Sequence, residues 1–410
     1  MAKTSMLCSL DLGTSNTRVI VGEIDREGTV NIIGIGQSKS PGMKKGIIID
    51  VEATVNAIED AVSQAERMIG EDIDTVVLGI GGPQTTLLRN SGVVAVQGED
   101  KEITSQDVTR VIQAAQVLAI PPERKIISVN PLSYVVDGYE GIKDPVAMIG
   151  VRLEVDALVV TGKATYLQNV RRCVEKADLE ISDVVLKGIA GGNMALTPDE
   201  RELGCALIDI GGGVTEISLY KHDTIQSFAS IPQGGDLITY DLAHGLRVPY
   251  SQAEQIKLLY GAASYESAGQ QTISYESVGA SEPTQIDASQ LVEYIRPRVE
   301  EMFDFIRNEL IKCGFREPPS GGIVLTGGTC QLPGLLEIAE RKLGTNIRIY
   351  RPEHIGVSDP SFTASTAVLY YAAGHKKIKL HGSGRDGRVQ RRPGKLISKV
   401  RSVFAELFGG

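Results

Sequence analysis

Two stretches of the chain join an aspartate to a run of small, turn-forming residues. Asp11-Leu12-Gly13-Thr14-Ser15-Asn16 is one, and Asp209-Ile210-Gly211-Gly212-Gly213-Val214-Thr215, 198 positions later, is the other. Each places a carboxylate at the end of an apolar segment, followed by residues suited to a tight turn. Glycine lets backbone N–H groups approach phosphate oxygens closely, and the hydroxyls add further donors. Two such aspartates facing each other across a cleft would hold Mg²⁺ largely through water, the ligand this ion gives up most reluctantly. A single turn of this kind could be an ordinary hairpin. Its repetition, with a third glycine turn at Thr326-Gly327-Gly328-Thr329, points instead to a phosphate site. Neither a GxxxxGK[ST] loop nor a GxGxxG turn after a strand is present, so those nucleotide folds are not indicated.

The elements around both turns follow one plan. Met6–Leu12 and Arg18–Glu23 read as strands flanking the first turn, and Val30–Ser38 as a third strand. Asp50 caps a helix running to about Met68, and Thr75–Ile80 is a strand ending in Gly81-Gly82-Pro83. Cys205–Ile210, Glu216–Tyr220 and Thr224–Ile231 repeat the three strands, and a helix starts at Asp236. One layout used twice implies two lobes with a cleft between them. Residues 84–162 read as an insert: a helix from its Thr104 cap to about Leu118, with strands at Gly92–Val96, Lys125–Val136 and Arg152–Thr161. A helix at Thr165–Ala177 and a strand at Ile181–Lys187 return to the α/β pattern. Residues 261–287, rich in Ser, Gly, Gln and Thr, suggest a mobile loop, before a long helix at 288–313, a strand at Ile323–Thr326 and a small-residue helix at Ser361–Ala373.

The 410 residues exceed what one hydrophobic core organises and imply two to three domains. The net charge of −9 hides an asymmetry. Residues 376–410 hold ten Lys/Arg and two Asp/Glu, or +8, which leaves a body of −17. An acidic body argues against nucleic-acid binding. No apolar run approaches the 18 residues of a membrane span, and Met1–Gly13 does not look like a secretory leader. Cys8, Cys173, Cys205, Cys313 and Cys330 are scattered and without CxxC spacing, which reads as reduced thiols. Residues 374–394 are dominated by Gly, Lys and Arg and read as a linker. In the final segment Leu396, Ile397, Val400, Val403, Phe404, Leu407 and Phe408 fall on one helical face, with Lys395, Lys399 and Arg401 off its centre. A basic amphipathic helix on a flexible tether suits an anionic membrane surface; the same face could instead pack on the body or a partner.

The paired turns resemble those of the actin-like ATPase superfamily. The resemblance matches Asp11–Asn16 to its first phosphate loop, Asp209–Thr215 to its second, Ile323–Thr329 to its adenosine motif and Ser361–Ala373 to its second connecting helix. Gly234-Gly235-Asp236 and the segment holding Glu254 and Lys257 resemble stretches that meet phosphate or ribose. Within the superfamily, actin and MreB place an extra subdomain soon after the third strand, where only Lys39–Ile49 stands here. The extra material sits at 84–162, and with Val30–Gly36, Gly141–Pro145, Asp199–Leu203 and Gly322–Gly328 this resembles the bacterial FtsA family.

That resemblance implies an α/β, actin-like (ribonuclease H-like) two-lobed fold with duplicated mixed sheets, an inserted α+β subdomain and a C-terminal amphipathic helix. It divides the chain into 1–83 (lobe 1, subdomain 1A), 84–162 (inserted subdomain 1C), 163–203 (return to lobe 1), 204–250 (lobe 2, 2A), 251–320 (2B) and 321–350 (2A again). The helix 351–374 of lobe 1, a linker at 375–394 and a membrane-targeting helix at 395–410 complete it. It implies ATP and Mg²⁺ as ligands, with Gly13, Thr14, Ser15, Asn16, Gly211, Gly212, Gly213, Thr215, Gly234, Gly235, Glu254, Lys257, Gly327, Gly328 and Thr329 about the nucleotide and Asp11 and Asp209 on the metal's waters. As partners it implies the FtsZ C-terminal peptide, other divisome proteins, filaments of the chain itself and the cytoplasmic face of the inner membrane at the division site. Arg296, Arg298, Glu300 and Glu301 could supply polar contacts to FtsZ, or be a solvated helix face. One departure stands out. The superfamily's first connecting segment usually carries a Gln or Glu that orients the attacking water, whereas Leu186-Lys187-Gly188-Ile189-Ala190 has neither, and Lys187 sits about where the acid would be. Slow turnover is the expectation. Two competing readings are a small-molecule kinase of the superfamily and a PilM-like pilus assembly ATPase.

Overall fold

The computed structural model describes residues 5–25, 28–315 and 317–382, with side chains between Met6 and Gly374. The chain forms two compact units, one built from the segment up to Pro83 together with Cys173–Lys377, the other on Gln84–Arg172. The larger unit begins with β1 (Ser5–Leu12), β2 (Asn16–Ile24), β3 (Val30–Lys39), the short pair β4 (Met43–Lys44) and β5 (Ile47–Ile48), α1 (Val51–Ile69) and β6 (Thr75–Ile80). The smaller unit follows: β7 (Thr85–Ala95), α2 (Ser105–Ala114), β8 (Arg124–Val136), β9 (Tyr139–Ile142), β10 (Arg152–Lys163) and most of α3 (Ala164–Lys176). The chain resumes with β11 (Glu180–Leu186), α4 (Lys187–Ala195), α5 (Pro198–Leu203), β12 (Cys205–Ile210), β13 (Thr215–Lys221), β14 (Thr224–Ile231), α6 (Asp236–Leu246) and α7 (Tyr250–Tyr260). It closes with β15 (Thr272–Tyr275), β16 (Thr284–Asp287), α8 (Val292–Lys312), β17 (Ile323–Thr326), α9 (Leu335–Leu343), β18 (Ile347–Ile349) and α10 (Thr363–Gly382).

The duplication is visible in the sheets. The first runs β3-β2-β1-β6-β11 and the second β14-β13-β12-β17-β18. In each, three antiparallel strands are extended by two parallel ones. The first sheet is covered on one side by α10, whose Ala367, Val368, Leu369 and Ala372 join Leu7, Ile20, Val77 and Val185 in one core. Glycine permits that approach: a Cβ at Gly22 or Gly79 would lie 2.9 Å from Leu369 or Val368. Helix α1 buries Val55, Ile58, Ala61, Val62 and Ala65; Asp50 caps its start by accepting from Ala53 N–H, and Gly70, at φ 73°, ends it. In the second lobe Ile208, Ile217 and Leu219 pack with Ile238 and Leu242 of α6 and with Ile295, Val299, Phe303 and Ile306 of α8. The smaller unit is the antiparallel sheet β7-β10-β8-β9, against which α2 packs Val111 beside Val136, Leu153 and Val155.

Several sequence expectations need correction. Residues 261–287 are not a bare loop: β15 and β16 form a hairpin there, and Ile273 and Tyr275, two apart in a strand, are buried in the second lobe's core. The Ser- and Gly-rich flanks masked that alternation. The helix capped by Thr104 ends at Ala114 rather than near Leu118, and its strand neighbour starts at Thr85 because it pairs along its length with β10. Lys187 is not the end of a strand but the first residue of α4. Helix α10 runs on to Gly382, so the first part of 374–394 is helix rather than linker; Lys and Leu outnumber the glycines there. His354 stacks on Tyr370 at 4.9 Å between ring centres.

Candidate functional site

The two aspartate turns are built alike. Asp11 pairs across its hairpin with Arg18, and Asp209 with Glu216. Each turn is closed by the same bond: Gly13 N–H donates to Asn16 O at 3.2 Å, and Gly211 N–H to Val214 O at 2.9 Å. The turns meet tip to tip, since a Cβ at Gly212 would collide with Ser15 Oγ and one at Gly213 with Thr14. Ser15 Oγ donates to Asp236 Oδ1 at 3.5 Å, and Gly46 N–H donates to Thr14 Oγ1 at 3.0 Å.

The remaining glycines gather behind the second turn. Gly235 and Asp236 N–H groups donate to the Gly211 and Gly212 carbonyls at 3.0 and 2.8 Å, and a Cβ at Gly234 would clash with those same carbonyls. Thr329 Oγ1 donates to Gly211 O at 2.9 Å, and Gly327, at φ 93°, leaves no room for a side chain beside Asp209. Thr215 Oγ1 donates to Gln233 O at 2.9 Å, while Gly328 comes within side-chain reach of Ser361. Lys257 Nζ donates to Gly235 O at 3.2 Å and Thr239 Oγ1 at 2.7 Å and ion-pairs with Glu254 at 2.7 Å. Every residue expected about the nucleotide therefore belongs to one neighbourhood.

Two charged residues of that neighbourhood, Glu216 and Arg18, escaped attention, and a third, Lys187, was expected there only as the residue standing in place of an acid. Lys187 Nζ lies 3.4 Å from Asp11 Oδ1 and 3.7 Å from Glu216 Oε1, and Glu216 also accepts the Gly82 N–H. The connecting segment carries no carboxylate of its own, but β13 brings one to it. Arg18 is buried, donates Nε–H to Gln37 at 2.9 Å and stands 4.8 Å over the Phe362 ring. Burial and the Glu216 charge push the Asp209 carboxyl up to about 7. Burial raises Glu216 as well, against the pull of Lys187, and lowers the Arg18 guanidinium against the pull of Asp11. The signals were present: Glu216 follows Thr215 directly, and Gly79 and Gly81 clear the space beside the Lys187 stem and the Glu216 carboxylate.

The donor set suits a hydrated cation. Asn16 Oδ1 and Gln233 Oε1 are buried oxygens without a hydrogen-bond donor, and Asp11 Oδ1 has the Lys187 ammonium at 3.4 Å but no well-aligned hydrogen bond. Such acceptors are costly unless something supplies protons to them, as metal-bound waters do. Among the described residues no three His, Cys, Asp or Glu side chains converge as direct ligands, so an ion here would keep its own water.

A family model described as cell division protein FtsA matches residues 206–367, and one described as the SHS2 domain inserted in FtsA matches residues 82–161. The cell division protein FtsA of Bacillus subtilis (strain 168) is 41% identical over 380 residues, 92% of this chain and 86% of that protein. The chain belongs to the FtsA family. Solved structures far more distant in sequence share its actin-like fold. A chain of a PilM-PilN type IV pilus biogenesis complex, 16% identical, superposes with a TM-score of 0.62 over 90% of this chain and 99% of its own. MreB 5 of Spiroplasma citri bound to AMPPNP, also 16% identical, gives 0.55 over 93% and 99%.

In this FtsA-family chain the four residues considered for a partner peptide lie on α8 and are engaged within the protein. Arg296 pairs with Glu300 at 3.0 Å, Glu300 with Arg341 at 2.6 Å, and Arg298 with Asp241 at 2.6 Å and with Glu301. The helix expected at 395–410, with Leu396, Ile397, Val400, Val403, Phe404, Leu407 and Phe408, lies outside the described residues. Among the described residues no helix is long and apolar enough to cross a membrane.

Proposed function

We propose that this FtsA-family protein binds ATP with Mg²⁺ where its two aspartate turns meet and links the FtsZ ring to the cytoplasmic face of the membrane through its C-terminal segment. Self-association into filaments and recruitment of later division proteins belong to the same reading. The observation that carries the nucleotide part is the meeting of Asp11–Asn16 with Asp209–Thr215, beside buried acceptors that lack donors. The nucleotide in the distantly related MreB structure is in keeping with it.

Asp11, Asp209 and Asn16 would accept hydrogen bonds from the waters of the ion, which when bound neutralises phosphate charge. The N–H groups of both turns would receive phosphate oxygens, and the Glu254–Lys257 pair would stand behind them toward the sugar. With no Gln or Glu in 186–190, and Glu216 held by Lys187 and Gly82, hydrolysis is slow; turnover below about 1 s⁻¹ is expected, beneath the usual range of enzymes. ATP then acts mainly as a ligand that sets conformation and assembly.

The membrane part rests on sequence. A +8 terminal segment whose last helix would present one apolar face gains on the order of 1 kcal/mol per basic residue at an anionic surface. Co-sedimentation with liposomes and FtsZ, using the full chain and one lacking 395–410, tests it. Loss of FtsZ from the liposome pellet on truncation is the expected result; equal pelleting would end the tethering claim.

A further inference from the structure

We propose that Lys187 is a built-in counter-ion that occupies the magnesium side of the site when no metal is bound and competes with the metal for Asp11. This rests on the nucleotide–magnesium reading above. Its ammonium reaches Asp11 in the first lobe and Glu216 in the second, both buried carboxylates, so one cation bridges the two lobes at the floor of the site. It is held there by construction. Lys187 begins α4 where β11 ends, its stem lies beside Gly79, and the Glu216 oxygens fill the space a side chain at Gly81 would need.

Charge decides what this arrangement does. Asp11, Glu216 and Asp209, the last holding its proton up to about 7, face two cations, Lys187 and Arg18, within the same small volume. Without Lys187, Asp11 and Glu216 would be buried with one nearby cation between three carboxyl groups, an arrangement that favours opening of the lobes or uptake of an external cation. With it, the metal-free site is already close to neutral. A hydrated Mg²⁺ that takes Asp11 must do so a few ångströms from an ammonium, and the two repel. Lys187 can yield Asp11 without leaving the site, because Glu216 remains as its partner. The connecting segment thus trades a water-orienting side chain for a cation that keeps the empty site shut and makes metal binding weak.

The test uses the full chain with saturating ADP and Mn²⁺ as a spin probe, its affinity read by electron paramagnetic resonance, alongside melting of the metal- and nucleotide-free protein. K187M should bind Mn²⁺ about tenfold more tightly, the size of a divalent ion's repulsion by a nearby ammonium even when screened as in water. It should also melt at a lower temperature when metal-free, and K187R should track the parent in both. K187Q, which keeps a polar head, carries the measurement if K187M does not fold. Unchanged or weaker Mn²⁺ binding in both K187M and K187Q overturns the proposal. If the parent binds ADP with metal dependence that D11N removes, such a result sinks Lys187 alone; if the parent shows no metal dependence, the nucleotide reading falls and takes the Lys187 proposal with it.

Discussion

Arg18 and Glu216 hold the same station in the two lobes and carry opposite charge. Each is paired across its hairpin with the aspartate of its own turn, Asp11 with Arg18 and Asp209 with Glu216. The duplicated framework therefore presents two unlike halves to the site between them. On the first side a buried guanidinium offsets the aspartate; on the second a buried carboxylate adds to it, which is part of why Asp209 holds its proton up to about 7. Lys187 supplies the second half with the positive charge that Arg18 supplies to the first.

Removing the Arg18 guanidinium leaves the carboxylates with less compensation. The residue is buried, bonded to Gln37 and stacked over Phe362, so both its charge and its packing are lost on truncation. Arg18→Met should destabilise the two-lobed unit by about 3 kcal/mol, the usual cost of breaking one side of a buried charge pair. Urea denaturation measures it, and a midpoint equal to the parent's would refute the assignment.

Gly212 lies where the two turns touch. Alanine there would drive a methyl group into Ser15 Oγ and place it 2.8 Å from Asp236 Oδ1. Because the conflict lies between loops rather than in a core, the fold should survive while the turns separate. A loss of about tenfold in affinity for a fluorescent ATP analogue is expected, equivalent to a modest overpacking penalty. Binding as tight as the parent's, in a protein that melts normally, would show that the turns do not form the phosphate site.

Much of this architecture can be read from residues close together in the chain. The strand runs around Asp11 and Asp209, the Asp50 and Thr104 caps and the apolar face of α1 all announce themselves within a few positions. The hairpin β15–β16 did not, because Ile273, Tyr275 and the half-buried Ile286 are few markers of its inner face amid polar turn residues. Within the site, the glycines and hydroxyls were legible because phosphate recognition demands them. Glu216 was not, and Lys187 was legible only as the residue in place of a water-orienting acid, not as the partner of Asp11 and Glu216. A lysine opening a helix and a glutamate inside a strand look like solvent-facing residues, and it takes the pairing of β12 with β13 and the stop of β11 to bring them together.

Acid should loosen α2 of the smaller unit through Asp107. Burial pushes this carboxyl up, but bonds from the Thr104 hydroxyl and N–H, the Gln97 N–H and the Arg110 charge outweigh it and hold it below its ordinary value. A carboxyl whose value is depressed in the folded state contributes stability at neutral pH and loses it as pH falls through the folded value. Protection of the α2 amides, corrected for intrinsic exchange, should drop as pH falls below about 4 in the parent. Asp107→Asn should be less protected at pH 7 by about 1 kcal/mol, a typical cap, and much flatter with pH. A parent profile as flat as the variant's would show that the cap does not control this helix.

Gly36 tests the packing of the first lobe independently of any ligand. In β3 it lies against α1, where a Cβ would overlap the Ala61 carbonyl oxygen and crowd Ala65 N at 3.2 Å. Both are helix backbone, which cannot rotate aside as a side chain would. The strand and helix must then part, exposing the buried face of Ile58, Ala61 and Ala65. Overpacking of this kind costs typically 1 to 3 kcal/mol, and with backbone on the receiving side about 3 kcal/mol is expected for Gly36→Ala. At Gly70, by contrast, an added Cβ meets nothing within 4 Å, and the cost is limited to its positive φ of 73°, about 1 kcal/mol. Melting of the two variants side by side gives the order, and a Gly36→Ala protein as stable as Gly70→Ala would contradict the close approach of β3 and α1.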